Sequence, residues 1–163
     1  MDADQIHRLL TVMAEEEGAL LLAPDEISPE DIRDRIRNAT NRRNRFFHVA
    51  TKDEIVLGMV ALESGPYRSM GHVRFMNLAV DPHHRRKGIG RELTRVAMEW
   101  AYQTPSVAKI EIQLREANTA AFKLMQSFGF ILEGRLKKHG RTPSGKDINE
   151  LILALFVDER QNS

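Results

Sequence analysis

At 163 residues, with 42% hydrophobic and 29% charged side chains, the chain reads as a single globular domain, 1–163, with room for a sizeable core. A net charge of +1 excludes a general nucleic-acid polycation and leaves anion binding to local clusters; the absence of cysteine excludes disulfides, thiol nucleophiles and cysteine-held zinc. The six histidines show no metal-ligand spacing, no apolar run approaches the ~20 residues that span a bilayer, and the acidic M-D-A-D-Q start is unlike a signal peptide, so a cytoplasmic protein without metal is expected.

Ile6, Leu9, Leu10 and Met13 give a helical stripe over Asp4 to Glu17, ended by Gly18. An apolar patch, Ala19 to Ala23, leads into Pro24-Asp25-Glu26. Ser28-Pro29-Glu30-Asp31 is a second helix start, with Ser as N-cap, Pro in the first position and acids in the first turn; Ile32 and Ile36 mark its buried face. Arginines 33, 35, 37, 42, 43 and 45 crowd its end. They read as a solvated helix face, as an electropositive rim to a cleft, or as a nucleic-acid patch, the last lacking interleaved aromatics apart from Phe46-Phe47.

Phe46 to Thr51 and Ile55 to Glu63 read as strands joined by a tight turn at Lys52-Asp53-Glu54, and His72 to Val80 as a third, antiparallel strand. Asp81-Pro82 breaks it. Four cations, Arg85, Arg86, Lys87 and Arg91, then surround Gly88 and Gly90, and a helix begins with Ile89, Leu93, Val96, Ala97, Trp100 and Ala101 at helical spacing, ending near Tyr102 before Pro105. Strand, basic glycine-containing loop and helix start make an anion site, because first-turn N–H groups lack partners in the helix. The loop is neither a Walker A sequence nor G-x-G-x-x-G. Lys109 to Arg115 alternates as a strand, so a right-handed parallel crossover is expected from the third strand. Asn118 caps a short helix with Ala121, Leu124, Met125 and Phe128 on its apolar face and Gly129 at its close. Phe130 to Gly134 opens a strand, Gly140 to Lys146 reads as a loop, and Ile148 to Val157 as the last strand.

The spacing Arg85-x-x-Gly88-x-Gly90 after V-D-P resembles the [QR]-x-x-G-x-[GA] pyrophosphate loop of the GNAT superfamily of acyl-CoA N-acyltransferases. Asn118, Gly129-Phe130 and Glu133-Gly134 stand at further family positions, so the resemblance covers roughly residues 4 to 157. It implies an α/β (α+β) fold, a mixed and mainly antiparallel sheet with helices on both faces. One element departs from it. The family opens with a strand, and here only Met1-Asp2-Ala3 precede the first helix, so that strand is absent or the true start lies upstream.

The resemblance also implies an activity: transfer of an acetyl group from acetyl-CoA to a primary amine, small molecule or peptide, by direct attack in a ternary complex. Backbone groups of Leu78, Ala79 and Val80 would pair with the pantetheine arm where the parallel strands splay, and one N–H would polarise the thioester carbonyl. The backbone of Arg86, Lys87, Gly88, Ile89, Gly90 and Arg91 would hold the pyrophosphate, with side-chain charge from Arg85, Arg86, Lys87 and Arg91. Asn118 would contact pantetheine, cap its helix, or both. No nucleic acid and no membrane are implied, and a homodimer fits. The usual proton handlers are missing: Met125 stands where many members carry a Tyr, and Gln113 where those acting on ribosomal proteins place a Glu. His72, Glu111, Glu150 and Tyr67 could substitute but read as surface or strand residues, so no base is named. Two rival readings remain: an acyl-CoA-binding protein without turnover, and a small RNA-binding domain motivated by the arginines.

Overall fold

Period-two alternation builds one sheet and period-3.6 stripes cover it. The computed structural model describes residues 3–16, 26, 28–41, 45–142 and 144–157. Six strands, β1 (Phe46–Lys52), β2 (Ile55–Ser64), β3 (Val73–Val80), β4 (Lys109–Arg115), β5 (Ile131–Arg141) and β6 (Asp147–Phe156), lie in the order β1-β2-β3-β4-β6-β5. Every neighbouring pair is antiparallel except β3 and β4. The connection between those two is α3 (Ile89–Tyr102), as the pattern of strand, helix and strand predicts.

Each face has its own core. On one side α3 and α4 (Thr119–Ser127) bury Leu93, Ala97 and Met125 against Met76, Ile110, Ile112 and Leu153, and the Phe46 ring packs tilted against Trp100 with centroids 5.5 Å apart. On the other, α1 (Ala3–Glu15) and α2 (Pro29–Asn41) bring Ile6, Leu9, Leu10 and Ile32 onto Val56, Met59 and Ala79. Ser28 caps α2 as expected, accepting from the N–H groups of Glu30 and Asp31 at 3.1 and 3.3 Å. Because α1 and α2 pack over β1, β2 and β3, that face of β4, β6 and β5 is largely bare of described helices.

One expectation changes. The loop expected from Gly140 starts later: Gly140 and Arg141 still pair with Ile148 and Asp147, after a register shift beyond Leu136. Lys138, at φ 52°, donates its N–H to Asn149 Oδ1 at 2.9 Å there, and such a bulge leaves no alternation to read. The described chain also begins directly with α1 at Ala3. Gly18, the Ala19 to Ala23 patch, Arg42 and Arg43 lie outside the described residues.

Candidate active site

β3 and β4 pair at Val73↔Lys109, Arg74↔Ile110 and Phe75↔Glu111, and then part. Beyond that point each keeps its other neighbour, β3 through Val80↔Gly58 and β4 through Arg115↔Glu150. The strands therefore diverge as a V, and the main-chain groups of residues 77–80 that face β4 have no ladder partner. A slot with one unpaired strand edge accepts an extended molecule as an added strand.

The head of the V is closed by the turn into α3. The Asp81 N–H donates to Leu57 O at 2.9 Å, and Pro82 to His84 form a 3-10 turn. The Asp81 carboxylate accepts from the His83 N–H at 2.8 Å and lies 3.1 Å from His84 Nδ1. Burial alone would raise its pKa, but the bonds from His84 and the His83 N–H, with the charge of both rings, hold it below the usual range. Arg86 at φ 59° and Gly88 at φ 84° then reverse the chain in the left-handed region. Gly88 is the N-cap of α3 and offers no side-chain cap, so the first-turn N–H groups open outward.

The cations have different situations. Arg85 grips Glu16 with both terminal nitrogens, at 2.8 and 2.6 Å, and reaches Val80 O at 3.4 Å. Its hydrogen bond holds the Glu16 carboxyl below the usual range against the opposing effect of burial. Lys87 lies 3.3 Å from His83 O and is exposed, as is Arg86. Arg91 rests 5.6 Å over the Phe128 ring and bonds Ser127 Oγ at 3.3 Å, tying α3 to α4. Asn118 caps α4: its Oδ1 accepts from the Ala121 N–H at 3.1 Å. Of the six arginines read from the sequence there, the three on α2, Arg33, Arg35 and Arg37, face Asp4, Glu63 and Asp34.

Among the four substitute proton carriers, three sit away from the V. Tyr67 and His72 precede β3 at its paired end, and Glu111 is the last paired residue, 3.1 Å from Lys109. Glu150 alone stands at the diverging end. Of the expected surface or strand positions it takes the strand one, in β6, and it is only 3% exposed. It accepts a hydrogen bond from Gln113, while Arg115 lies 3.8 Å and His139 3.9 Å away. Its partners come from two other strands, β4 and β5, so no local pattern reveals them. Met125 is wholly buried beneath α4. Two clefts flank α3: one of about 400 Å³ beside Tyr102 and Phe128, and one of about 360 Å³ beside His48 and Lys87. Neither is lined by the V-facing residues Asn77, Leu78 or Gln113. Among the described residues there is no cluster able to hold a metal, and no helix long and apolar enough to cross a membrane.

The fold is that of an acetyltransferase of the GNAT family from Streptococcus pneumoniae, with a TM-score of 0.87 at 20% identity over 95% of this chain and 94% of that one. A phosphinothricin acetyltransferase of Sinorhizobium meliloti, solved with acetyl-CoA, gives 0.85 at 17% identity over 95% and 83%. By sequence the chain is 31% identical over 81 residues to a ribosomal protein bS18-alanine N-acetyltransferase of Haemophilus ducreyi, covering 50% of this chain and 55% of that enzyme. It is 28% identical over 107 residues to human N-acetyltransferase 8, covering 64% and 47%. The chain thus spans about half the length of these two relatives. The model of the Acetyltransferase (GNAT) family matches residues 6–130, and with that match, the diverging strands and the basic loop at the start of α3, the chain belongs to the GNAT family of acetyltransferases.

Proposed function

We propose that the chain transfers the acetyl group of acetyl-CoA to a primary amine by direct attack within a ternary complex. One observation carries the reading: an unpaired strand edge leads straight to an open helix start ringed with cations. The pantetheine amides lie along Leu78, Ala79 and Val80. The pyrophosphate meets the N–H groups from Arg86 to Arg91, with charge from Arg86, Lys87 and Arg91. Arg85 holds the turn through Glu16 and contributes less charge. Asn118 positions the start of α4 beside the arm.

The amine nitrogen attacks the thioester carbonyl carbon. The C–N bond forms, the C–S bond breaks, and its electron pair leaves on sulfur as a thiolate while the amine proton passes to water. A β3 N–H stabilises the oxygen that gains charge. Dedicated acid–base help is worth about 10²–10⁴-fold, whereas proximity supplies ~7–11 kcal/mol. A buried Met125 in place of a proton donor is therefore compatible with turnover.

Acetyl-CoA at ~100 times its dissociation constant should stabilise the protein by about 2.7 kcal/mol, seen as a rise in Tm. Gly88→Val, strained at φ 84°, should lose that rise while remaining folded. Thiol release should follow with at least one of four acceptors: a peptide with a free N-terminal alanine, an N-blocked lysine peptide, glutamate and spermidine. No rise at millimolar acetyl-CoA, or binding without turnover of any of the four, overturns the reading.

A further inference from the structure

We infer that Gln113 holds the acceptor's amine and that Glu150 fixes Gln113 in the orientation this requires, an inference that rests on the acetyl-transfer reading above. Pairing of β3 with β4 ends at Phe75 and Glu111, and the next residues on the face away from α3 and α4 are Asn77 and Gln113, one on each wall of the V. Ile112 and Leu114 turn the other way, into the core. Asn77 is held by Glu63 at 3.3 Å. Gln113 is thus the first β4 side chain past the paired region that a molecule entering from the helix-poor face meets, level with Asn77 on the β3 wall.

A glutamine amide can present either an oxygen or an NH2 group. Here the neighbour decides. Glu150 stands beside the Arg115 guanidinium, and a carboxylate only accepts, so Gln113 turns its Nε2 to Glu150 Oε2. Gln113 Oε1 remains as an acceptor with no donor among the described residues. An uncharged primary amine that donates one N–H to this oxygen is oriented without losing its proton, and its lone pair is left for the thioester carbon. Space for the pair comes from Gly140: a Cβ there would lie 2.9 Å from Arg115 Nη1 and 3.1 Å from Glu150 Oε1. His139, on the β5 bulge, borders Glu150 on its outer side. Gln113 touches substrate in this arrangement; Glu150 is a positioning residue that acts through it.

A double-mutant cycle tests the inference. The kcat/KM for the best of the four acceptors is measured in the wild type, Gln113→Leu, Glu150→Gln and the double variant, with the acetyl-CoA thermal shift as control for folding and cofactor binding. Each single change should lower kcat/KM for the amine about tenfold or more while the shift persists, and Glu150→Gln should cost nothing further once Gln113 is Leu. A loss from Glu150→Gln that is undiminished in the Gln113→Leu background overturns the inference, since Glu150 would then act on the amine itself. So does unchanged turnover in Gln113→Leu, which decides alone if Glu150→Gln fails to fold. Absence of both shift and turnover in the wild type overturns the acetyl-transfer reading, a result distinct from either outcome of the cycle.

Discussion

Arg85 faces Glu16, and that pairing separates it from the other cations of its loop. Both partners are more than a third exposed, so the pair contributes at most ~1 kcal/mol to stability. Arg85→Ala should therefore weaken acetyl-CoA binding less than Lys87→Ala does, and should reduce its salt dependence less, as titration calorimetry at two ionic strengths will show. If Arg85→Ala is instead the more severe of the two, the phosphate depends on Arg85 directly. From the sequence the four cations were equivalent, because the acid that distinguishes Arg85 lies 69 positions away in the chain. Glu150 lies in a strand, as one of its readings had it, but its burial and partners were hidden for the same reason: its environment is assembled from β4 and the β5 bulge, neither adjacent to it in the chain. Asn118 and Ser28 were legible because a cap bonds only two or three residues onward.

The placement of α3 depends on close approach to the sheet. At Gly58 on β2, a Cβ would sit 2.9 Å from Ala79 O, 3.0 Å from Leu93 Cδ1 and 3.2 Å from Ile89 Cγ2. The β3 backbone and the first turn of α3 would both have to move. Gly58→Ala should cost about 1–3 kcal/mol, read as a lower midpoint in urea. It should also weaken acetyl-CoA, since the start of α3 shifts relative to β3; an unchanged midpoint and affinity would show that the helix floats freely over the sheet. At this scale the sequence was largely transparent. Alternation in Lys109–Arg115 and the helical stripe from Ile89 are local signals, and both elements stand where they were expected. The divergence of β3 from β4 was not readable from the residues themselves, because it is a property of pairing between strands separated by a whole helix; only the family resemblance supplied it.

Across the whole molecule, the bare half of the sheet is stitched by ion pairs. Glu116, just past β4, bonds Arg135 on β5 and Asn149 on β6, and these bonds lower its pKa from the ordinary 4.5 to about 2. A depressed carboxyl stabilises the fold above its unfolded pKa and loses that contribution as pH falls from about 4.5 to about 2. Lys109 behaves in the opposite sense. Burial works against its charge, but hydrogen bonds to Glu133 and Glu111 outweigh burial and raise its pKa. Its contribution is complete below the ordinary 10.5 and is lost as pH rises through the elevated value. Tm plotted against pH should fall at both ends, and Glu116→Gln should make the acid limb shallower while leaving the alkaline limb in place. An unaltered acid limb would assign the transition to other carboxylates.

The V between β3 and β4 also governs how such a chain can change over generations. Its β3 wall offers main-chain groups that every residue type except proline carries in full, so other substitutions at Asn77 or Leu78 leave the same donors and acceptors in place. Its β4 wall offers Gln113 and Arg115, backed by Glu150 on β6, where one codon rewrites the chemistry. Half of the cleft is therefore robust to drift, and the facing half is open to new acceptors.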